Sequence, residues 1–242
     1  PENTCGPMTD RLTITLAQLN PVVGAINGNI DKVREARRQA ASVGADLVVC
    51  SELVVSGYPP EDLVLKPFFL EKVEDAVRAF AEETADGGPA VLLTAPWRDG
   101  GATYNAALLL EGGKIAATRF KRDLPNYGVF DEMRVFAPGP MPGPIDFKGV
   151  RIGVPICEDI WTPDVAECLQ ESGAEILLVP NGSPYNIAKT DQRLQHAVAR
   201  VTETGLPLVY VNQVGGQDEL VFDGASFVIN ADHSLAVQAV DW

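Results

Sequence analysis

Two stretches of the sequence carry the same pattern, Gly44–Glu52 (GADLVVCSE) and Gly173–Asn181 (GAEILLVPN). Each begins with glycine, alanine and an acidic residue, continues as a short apolar run and ends on a polar residue. Short uninterrupted apolar runs are typical of parallel strands that are covered on both faces of a sheet. We therefore predict an α/β fold in which one structural unit occurs twice.

The segments around these two strands follow the same order. In the first half, LTITLAQLNP predicts a strand. Apolar residues recur at helical spacing from Ile30 to Val43 and from Phe69 to Ala81, which predicts two helices. Further strands are predicted for PAVLLTAPW, YNAALLL and KIAATRF. In the second half, VRIGVPIC predicts a strand, PDVAECLQES and residues 189–204 predict helices, and PLVYVNQ and ASFVINADHSLAVQAV predict a strand and a hairpin. Both halves read β-α-β-α and then continue in strands. We predict two pseudo-symmetric units whose sheets pack face to face, with the helices outside.

The composition excludes several classes of function. The 242 residues fit one large α/β domain or two small ones, and their formal net charge of −14 argues against a nucleic-acid partner. No apolar run approaches the roughly 18–20 residues that span a bilayer, so no membrane partner is expected. The four cysteines include no C-x-x-C pair, which favours a reduced, cytoplasmic protein without a structural metal.

The first residues differ from the rest of the sequence. The lead PENTCGP precedes Met8, a natural start, so residues 1–8 are interpreted as an expression remnant or a disordered lead. Residues 9–242 are predicted to form the functional domain.

The chain contains only two histidines, His196 and His233. His196 lies beside the apolar stripe of its predicted helix and is expected at the surface, and His233 lies in the turn NADHS. There is also no G-x-S-x-G string. A Ser-His-Asp or Cys-His site is therefore not expected, and the base of any reaction should be another residue type.

Three chemically active residues follow predicted strands: Glu52, Lys121 and Cys157. Working residues of α/β proteins lie beyond the carboxyl ends of strands. Taken singly, each has an ordinary structural alternative: a helix cap or solvated charge, a surface lysine and a core cysteine. Together, a carboxylate base, an ammonium group and a thiol suffice for acyl transfer from an amide or nitrile.

Four strings carry a resemblance: SELVVSGYPPEDL, FKRDLPNYGVFDEMRVF, GVPICEDIW and NQVGGQDELVFDG. Together they resemble the nitrilase, or carbon–nitrogen hydrolase, superfamily, and more narrowly the glutaminase domains of the glutamine-dependent NAD synthetase family. The similarity covers the sequence from about Arg11 onward. It implies a four-layer α-β-β-α sandwich of the nitrilase type. It also implies release of ammonia from glutamine through a γ-glutamyl thioester.

The resemblance assigns catalytic roles at the matching positions. Glu52 corresponds to the general base, Lys121 to the stabilising lysine and Cys157 to the nucleophile. Glu132, in the string FDE, corresponds to the additional glutamate that orients the lysine.

Three further positions match residues with which these glutaminase domains hold glutamine: Tyr127, Ser183 and Lys189. Ser183 follows the predicted strand that is equivalent to the one before Glu52, so it is expected to open onto the same site. Lys189 could meet the substrate carboxylate as a point charge. On the residues alone, Tyr127 could equally be a packing aromatic and Lys189 a solvated lysine at a helix start.

The synthetase half of that family normally carries a phosphate loop of the form S-G-G-x-D-S. Neither that string nor G-x-x-x-x-G-K-[ST] occurs here. ATP and Mg are therefore expected only in a synthetase domain that this chain lacks, and the glutaminase reaction needs no cofactor. A fragment of the longer enzyme is the favoured interpretation, with the synthetase domain as partner and a homo-oligomer as the expected state.

Two other functions stay open. The first is a free-standing aliphatic amidase or carbamoylase that uses the same three residues. The second is an inactive glutaminase-like module that serves only in assembly. Reaction rates on glutamine, short amides and N-carbamoyl amino acids separate the enzymes, and labelling of Cys157 by a glutamine-analogue electrophile separates either enzyme from an inert module.

Overall fold

The structure, a computed structural model, describes residues 11–187 and 189–242, and the side chains of residues 189–191 are outside the described part. The expectation for residues 1–8 therefore lies outside the described residues. Residues 9 and 10, the first two of the predicted functional domain, are also outside the described part.

The first half of the chain forms a five-stranded sheet with two helices. The strands are β1 (Ile14–Ala17), β2 (Leu47–Cys50), β3 (Ala90–Asp99), β4 (Ala102–Glu111) and β5 (Lys114–Phe120), and the helices are α1 (Ile26–Ser42) and α2 (Pro67–Glu83). Strands β1 to β3 are parallel, and β4 and β5 are added antiparallel in the order β1-β2-β3-β4-β5. Gly112 and Gly113, both with positive φ, form the two-residue turn between β4 and β5.

The second half repeats this arrangement after a short helix, α3 (Glu132–Val135). Its elements are β6 (Ile145–Phe147), β7 (Val150–Gly153), α4 (Asp164–Glu171), β8 (Ile176–Pro180), α5 (Lys189–Thr204), β9 (Leu208–Val211), β10 (Val214–Gln217), β11 (Leu220–Asp223), β12 (Phe227–Ile229) and β13 (Leu235–Gln238). Strands β7 to β9 are parallel and β12 and β13 are added antiparallel, as in the first sheet. The predicted pseudo-symmetry is confirmed in the topology.

Three apolar clusters separate four layers. One packs α1 and α2 on the first sheet, one fills the space between the sheets, and one packs α4 and α5 on the second sheet. Strand β2 shows how the sequence supplies two of these clusters. Leu47 and Val49 face the other sheet, whereas Val48 and Cys50 face the helices. Because alternate side chains of a strand point to opposite faces, only a continuous apolar run can serve both clusters. The fold is the predicted α-β-β-α sandwich.

Some sequence predictions need correction. The strand predicted through Cys157 ends at Gly153, since Pro155 cannot donate to a sheet ladder. The hairpin of β10 and β11 was not predicted, because Gly215 and Gly216 weaken the strand signal. His196 is half-buried and stacks on Trp161, with ring centroids 4.3 Å apart, and is not fully at the surface.

Candidate active site

The equivalent strands β2 and β8 end at the same place, one from each sheet. Glu52 follows β2, and its backbone N–H donates to the carbonyl oxygen of Asn181 at 3.1 Å. The backbone N–H of Gly182 in turn donates to Glu52 Oε2 at 2.9 Å. The two halves of the fold therefore place one carboxylate where their strand ends meet.

Lys121 joins this carboxylate to a second one. It directly follows β5, and its Nζ donates to Glu52 Oε1 at 2.7 Å and to the two oxygens of Glu132 at 2.8 and 2.9 Å. Lys121 and Glu52 are 0% exposed and Glu132 is 4% exposed. The three residues come from the end of β5, the loop after β2 and the start of α3, and they form one buried ion cluster, the Glu52–Lys121–Glu132 cluster.

The charges in this cluster determine its protonation. Burial by itself lowers the pKa of Lys121, but the Glu132 and Glu52 carboxylates outweigh it and hold that pKa well above its usual value. Burial raises the pKa of Glu132, Lys121 lowers it and Glu52 raises it, with a net rise. Lys121 therefore stays an ammonium group that can stabilise negative charge.

Cys157 lies beside the cluster, at the first residue of a short 3₁₀ helix, Cys157–Ile160. It is 5% exposed, and its φ of 48° places it in the left-handed region, which is unusual for a residue with a side chain. Burial raises the pKa of its thiol well above the usual value, Glu52 raises it further and Lys121 opposes the rise. The resting group is a thiol, so a base must take its proton during nucleophilic attack.

Asp159 fixes the turn that carries Cys157. Its Oδ2 accepts from the backbone N–H of Ile156 at 2.9 Å, and its Oδ1 accepts from those of Arg122 and Asp123 at 3.0 and 2.7 Å. The carboxylate thus joins the nucleophile turn to the segment that follows Lys121. Burial raises the pKa of Asp159 to about 7, although the N–H donors lower it.

Sequence reasoning missed two residues of this site, Asn105 and Tyr58. Asn105 Nδ2 donates to Glu52 Oε1 at 2.8 Å, and the Tyr58 hydroxyl donates to Glu132 Oε1 at 2.8 Å. A signal for Asn105 was present, because it is a single amide within the apolar strand YNAALLL. Tyr58 offers a weaker signal, since tyrosine is common both in cores and in sites.

Gly182 meets the site through its backbone. A Cβ atom at this position would lie 2.9 Å from the Tyr58 ring and 3.2 Å from Glu52 Oε2. Glycine therefore allows the loop after β8 to approach Glu52 closely enough to donate its N–H.

Tyr127 lines a cavity of about 520 Å³ next to the nucleophile turn. Its ring is 48% exposed, and its hydroxyl contacts both carboxylate oxygens of Glu158 at 2.9 and 3.0 Å. Glu158 follows Cys157 directly and also lines the cavity, together with Arg122 and Phe136. Burial and the Glu158 carboxylate raise the pKa of Tyr127, which keeps the phenol a donor.

The other two predicted substrate residues are placed differently. Ser183 is buried beside Gly182, but its Oγ accepts from Arg193 Nε at 3.0 Å, so the hydroxyl faces α5. The backbone of Lys189 begins α5, and its side chain lies outside the described residues.

Within residues 11–187 and 189–242, no group of three or more His, Cys, Asp or Glu side chains could hold a metal ion. The helices of this same part of the chain include none that is both long and apolar enough to cross a membrane.

Two glutamine-dependent NAD synthetases match almost the whole of this chain. A glutamine-dependent NAD(+) synthetase of Rhodobacter capsulatus is 52% identical over 231 residues, which are 96% of this chain and 42% of that protein. The structure of the glutamine-dependent NAD+ synthetase from Acinetobacter baumannii matches with a TM-score of 0.90 and 38% identity, over 95% of this chain and 43% of that one. The chain thus spans less than half the length of these relatives.

A shorter protein matches over almost its whole length. An amidase from Nesterenkonia sp. AN1, solved as a double mutant in complex with acrylamide, matches with a TM-score of 0.83 and 25% identity, over 98% of this chain and 92% of that one. The sequence model of the carbon–nitrogen hydrolase family matches residues 13–242. The chain therefore belongs to the carbon–nitrogen hydrolase family, whose nitrilase-type fold and hydrolase chemistry it shares.

Proposed function

We propose that the chain hydrolyses the side-chain amide of glutamine to glutamate and ammonia, with Cys157 as nucleophile, Glu52 as general base and Lys121 as the stabilising cation. The observation that carries this proposal is the fully buried contact between Lys121 Nζ and Glu52 Oε1, 2.7 Å long, beside a protonated thiol. The similarity to glutamine-dependent NAD synthetases supports glutamine as the amide.

In the acylation half-reaction, the Cys157 sulfur attacks the side-chain amide carbon while Glu52 takes the thiol proton. The carbonyl π electrons move to oxygen, and the Lys121 ammonium stabilises the resulting oxyanion. This electrostatic stabilisation is strongest in a site from which water is excluded. Glu52 then gives its proton to the leaving nitrogen. The carbon–nitrogen bond breaks, and ammonia and a γ-glutamyl thioester remain.

In the deacylation half-reaction, water attacks the thioester carbon and Glu52 takes its proton. Lys121 stabilises the second oxyanion. The carbon–sulfur bond breaks, glutamate leaves, and Glu52 returns the proton to Cys157. Glu132 orients Lys121 throughout, because it contacts Nζ with both carboxylate oxygens. No cofactor takes part in this scheme.

Glutamine carries an α-carboxylate and an α-ammonium group that distinguish it from simple amides, and a selective site must pair or hydrogen-bond both. The proposed binding residues are Tyr127, Ser183 and Lys189. Tyr127 is supported by its place in the cavity beside Glu158. The Ser183 hydroxyl already bonds to Arg193 and Tyr210, so it would bind glutamine through its remaining acceptor site.

The ammonia has a proposed use in a larger enzyme. The relatives of more than twice this length are glutamine-dependent NAD synthetases, so we propose that the chain is the ammonia-supplying part of such an enzyme, with a synthetase domain as its partner. ATP and Mg would act only in that domain. A homo-oligomer stays a prediction.

Ammonia release from glutamine tests the reaction. The wild-type chain should release ammonia and glutamate in equal amounts, and Cys157→Ala should release none. Cys168→Ala is the matched control, since Cys168 lies on α4 and contacts the carbonyl oxygen of Pro142, and it should keep full activity. A wild type that releases no ammonia, or a Cys157→Ala variant as active as the wild type, contradicts the proposal.

An amidase for short aliphatic amides is the second candidate. It is favoured by the match to the Nesterenkonia amidase, because the match covers 92% of that chain. Rates on acetamide and propionamide above the rate on glutamine would establish it. A glutamine-analogue electrophile that leaves Cys157 unmodified, together with no hydrolysis of glutamine, acetamide or propionamide, would exclude both enzymes and favour an assembly module.

A further inference from the structure

Asn105 interrupts an apolar strand at the centre of the fold. It lies in β4, it has no exposed surface, and the residues that follow it are Ala106, Ala107 and Leu108. Burial of an amide in such surroundings is unfavourable unless hydrogen bonds compensate. A residue that breaks a local rule in this way often serves the site next to it.

The hydrogen bonds of the Asn105 side chain lead to the ion cluster. Its Nδ2 lies 2.8 Å from Glu52 Oε1 and 3.4 Å from Glu132 Oε2, and its backbone carbonyl accepts from the Lys121 N–H at 2.8 Å. An ionised carboxylate only accepts, so the amide must present its N–H₂ group to the cluster. Its Oδ1 has no hydrogen-bond partner among the described residues.

This contact makes the two oxygens of Glu52 unequal. Each carboxylate oxygen has about two acceptor sites. Oε1 accepts from Lys121 and Asn105, which fills both, whereas Oε2 accepts from Gly182 and keeps one site open.

We propose that Asn105 is a positioning residue that saturates Glu52 Oε1, so that the proton of Cys157 is transferred to Oε2. The inference rests on the proposed function, because it gives Glu52 the role of base. Without the amide donor, Oε1 has an open acceptor site as Oε2 does, the carboxylate can rotate, and either oxygen can take the proton.

The pH dependence of the reaction tests this role. We expect Asn105→Leu, which keeps the size but not the donor, to move the acidic limb of kcat/KM upward by about one pH unit, since a carboxylate that loses a donor holds a proton more readily. We expect kcat to fall about tenfold or more and KM to change less than about twofold. The substitution leaves the other charged and titratable side chains of the site unaltered: Lys121, Glu132, Tyr58, Cys157 and Glu158.

A matched control separates positioning from stability. Asn29→Leu makes the same change at another buried asparagine, which bonds to Val22 and Val55 from α1. It should lower the melting temperature without moving the acidic limb. Asn105→Ala, which cannot overpack β4, repeats the test if Asn105→Leu does not fold.

The second readout does not need glutamine. The rate at which iodoacetamide alkylates Cys157, followed by mass spectrometry over pH, should shift in the Asn105 variants as kcat/KM does. If the wild type releases no ammonia from glutamine, the proposed function fails and alkylation still tests Asn105. A folded Asn105→Leu protein with the wild-type alkylation profile, or an equal shift in Asn29→Leu, overturns the inference.

Discussion

Lys121 holds a positive charge between two carboxylates in a place that water does not reach. Removal of one member of a buried ionic group costs more than its formation gains, because the remaining charges stay buried without compensation. Glu52 and Glu132 both contact the same Nζ, so the loss of the lysine leaves two such charges. The site therefore combines a stability requirement with its chemistry.

We expect Lys121→Met to lower the free energy of unfolding by about 3–5 kcal/mol and to abolish ammonia release. Lys148→Met removes an exposed lysine that pairs with Asp46, and it should cost less than about 1 kcal/mol. Urea unfolding of both variants measures the difference. Equal losses would show that the buried cluster contributes no more than a surface ion pair.

Asp159 gives stability a dependence on pH. Burial raises its pKa to about 7, above the usual value of 3.8, so the folded protein keeps a proton that the unfolded chain has already lost. The stabilisation from this group is complete below about pH 4 and is lost as the pH rises to about 7. In urea unfolding between pH 4 and pH 8, the advantage of the wild type over Asp159→Asn should therefore shrink with rising pH. An advantage that grows over this range contradicts the assignment.

At the scale of elements, one helix side chain holds the loop that reaches Glu52. Arg193 of α5 donates to both oxygens of Asp223 at 2.8 and 2.9 Å, and also to the carbonyl oxygens of Ser183 and Pro184 at 2.7 and 3.0 Å. Gly182, whose N–H contacts Glu52, belongs to this loop. The position of the base thus depends on a helix in the other half of the fold.

Arg193→Lys keeps the charge but loses the planar fork, so it cannot keep all of these bonds. We expect a loss of about 2–4 kcal/mol in unfolding free energy and a fall in kcat, because the loop that carries Gly182 loosens. Arg37→Lys is the matched control, a buried arginine on α1 that bonds to Asp86 and Pro89 far from the site. The Arg37→Lys variant should lose stability but keep the wild-type kcat. A kcat that is unchanged in both variants would contradict the role of Arg193.

At the scale of the whole molecule, the contact between the sheets determines whether a site exists. Glu52 comes from one sheet, and Gly182 and Cys157 follow strands of the other, so their distances depend on the cluster that fills the space between the sheets. The outer clusters hold the helices and have no direct part in this spacing.

Two neighbouring leucines of β8 test this difference. Leu178 faces the other sheet and Leu177 faces the helices, and neither is exposed. Truncation of either to alanine should cost about 2–5 kcal/mol in thermal or urea unfolding. Only Leu178→Ala should also lower kcat below the unfolding temperature, because only it lets the sheets shift. Equal effects of both variants on kcat would contradict this account.

The sequence by itself determined the layers and the reactive groups. Runs such as LVVC and ILLVP are typical of strands covered on two faces, and a chain with two histidines leaves carboxylate, ammonium and thiol for the chemistry. These properties are local, because periodicity and residue type are read within a few positions.

The tertiary structure alone decided how those groups meet. Asn105 lies 53 residues from Glu52 in the sequence. Asp159 accepts hydrogen bonds from the backbone N–H groups of Arg122 and Asp123, which lie 37 and 36 residues away. A local pattern can mark a residue such as Asn105 as unusual, but it does not say which distant residue becomes its partner, because sheet pairing and the packing of one sheet on the other bring the two together. The same packing removes water from the cluster, and that desolvation raises the pKa of the Cys157 thiol and makes a neighbouring base necessary.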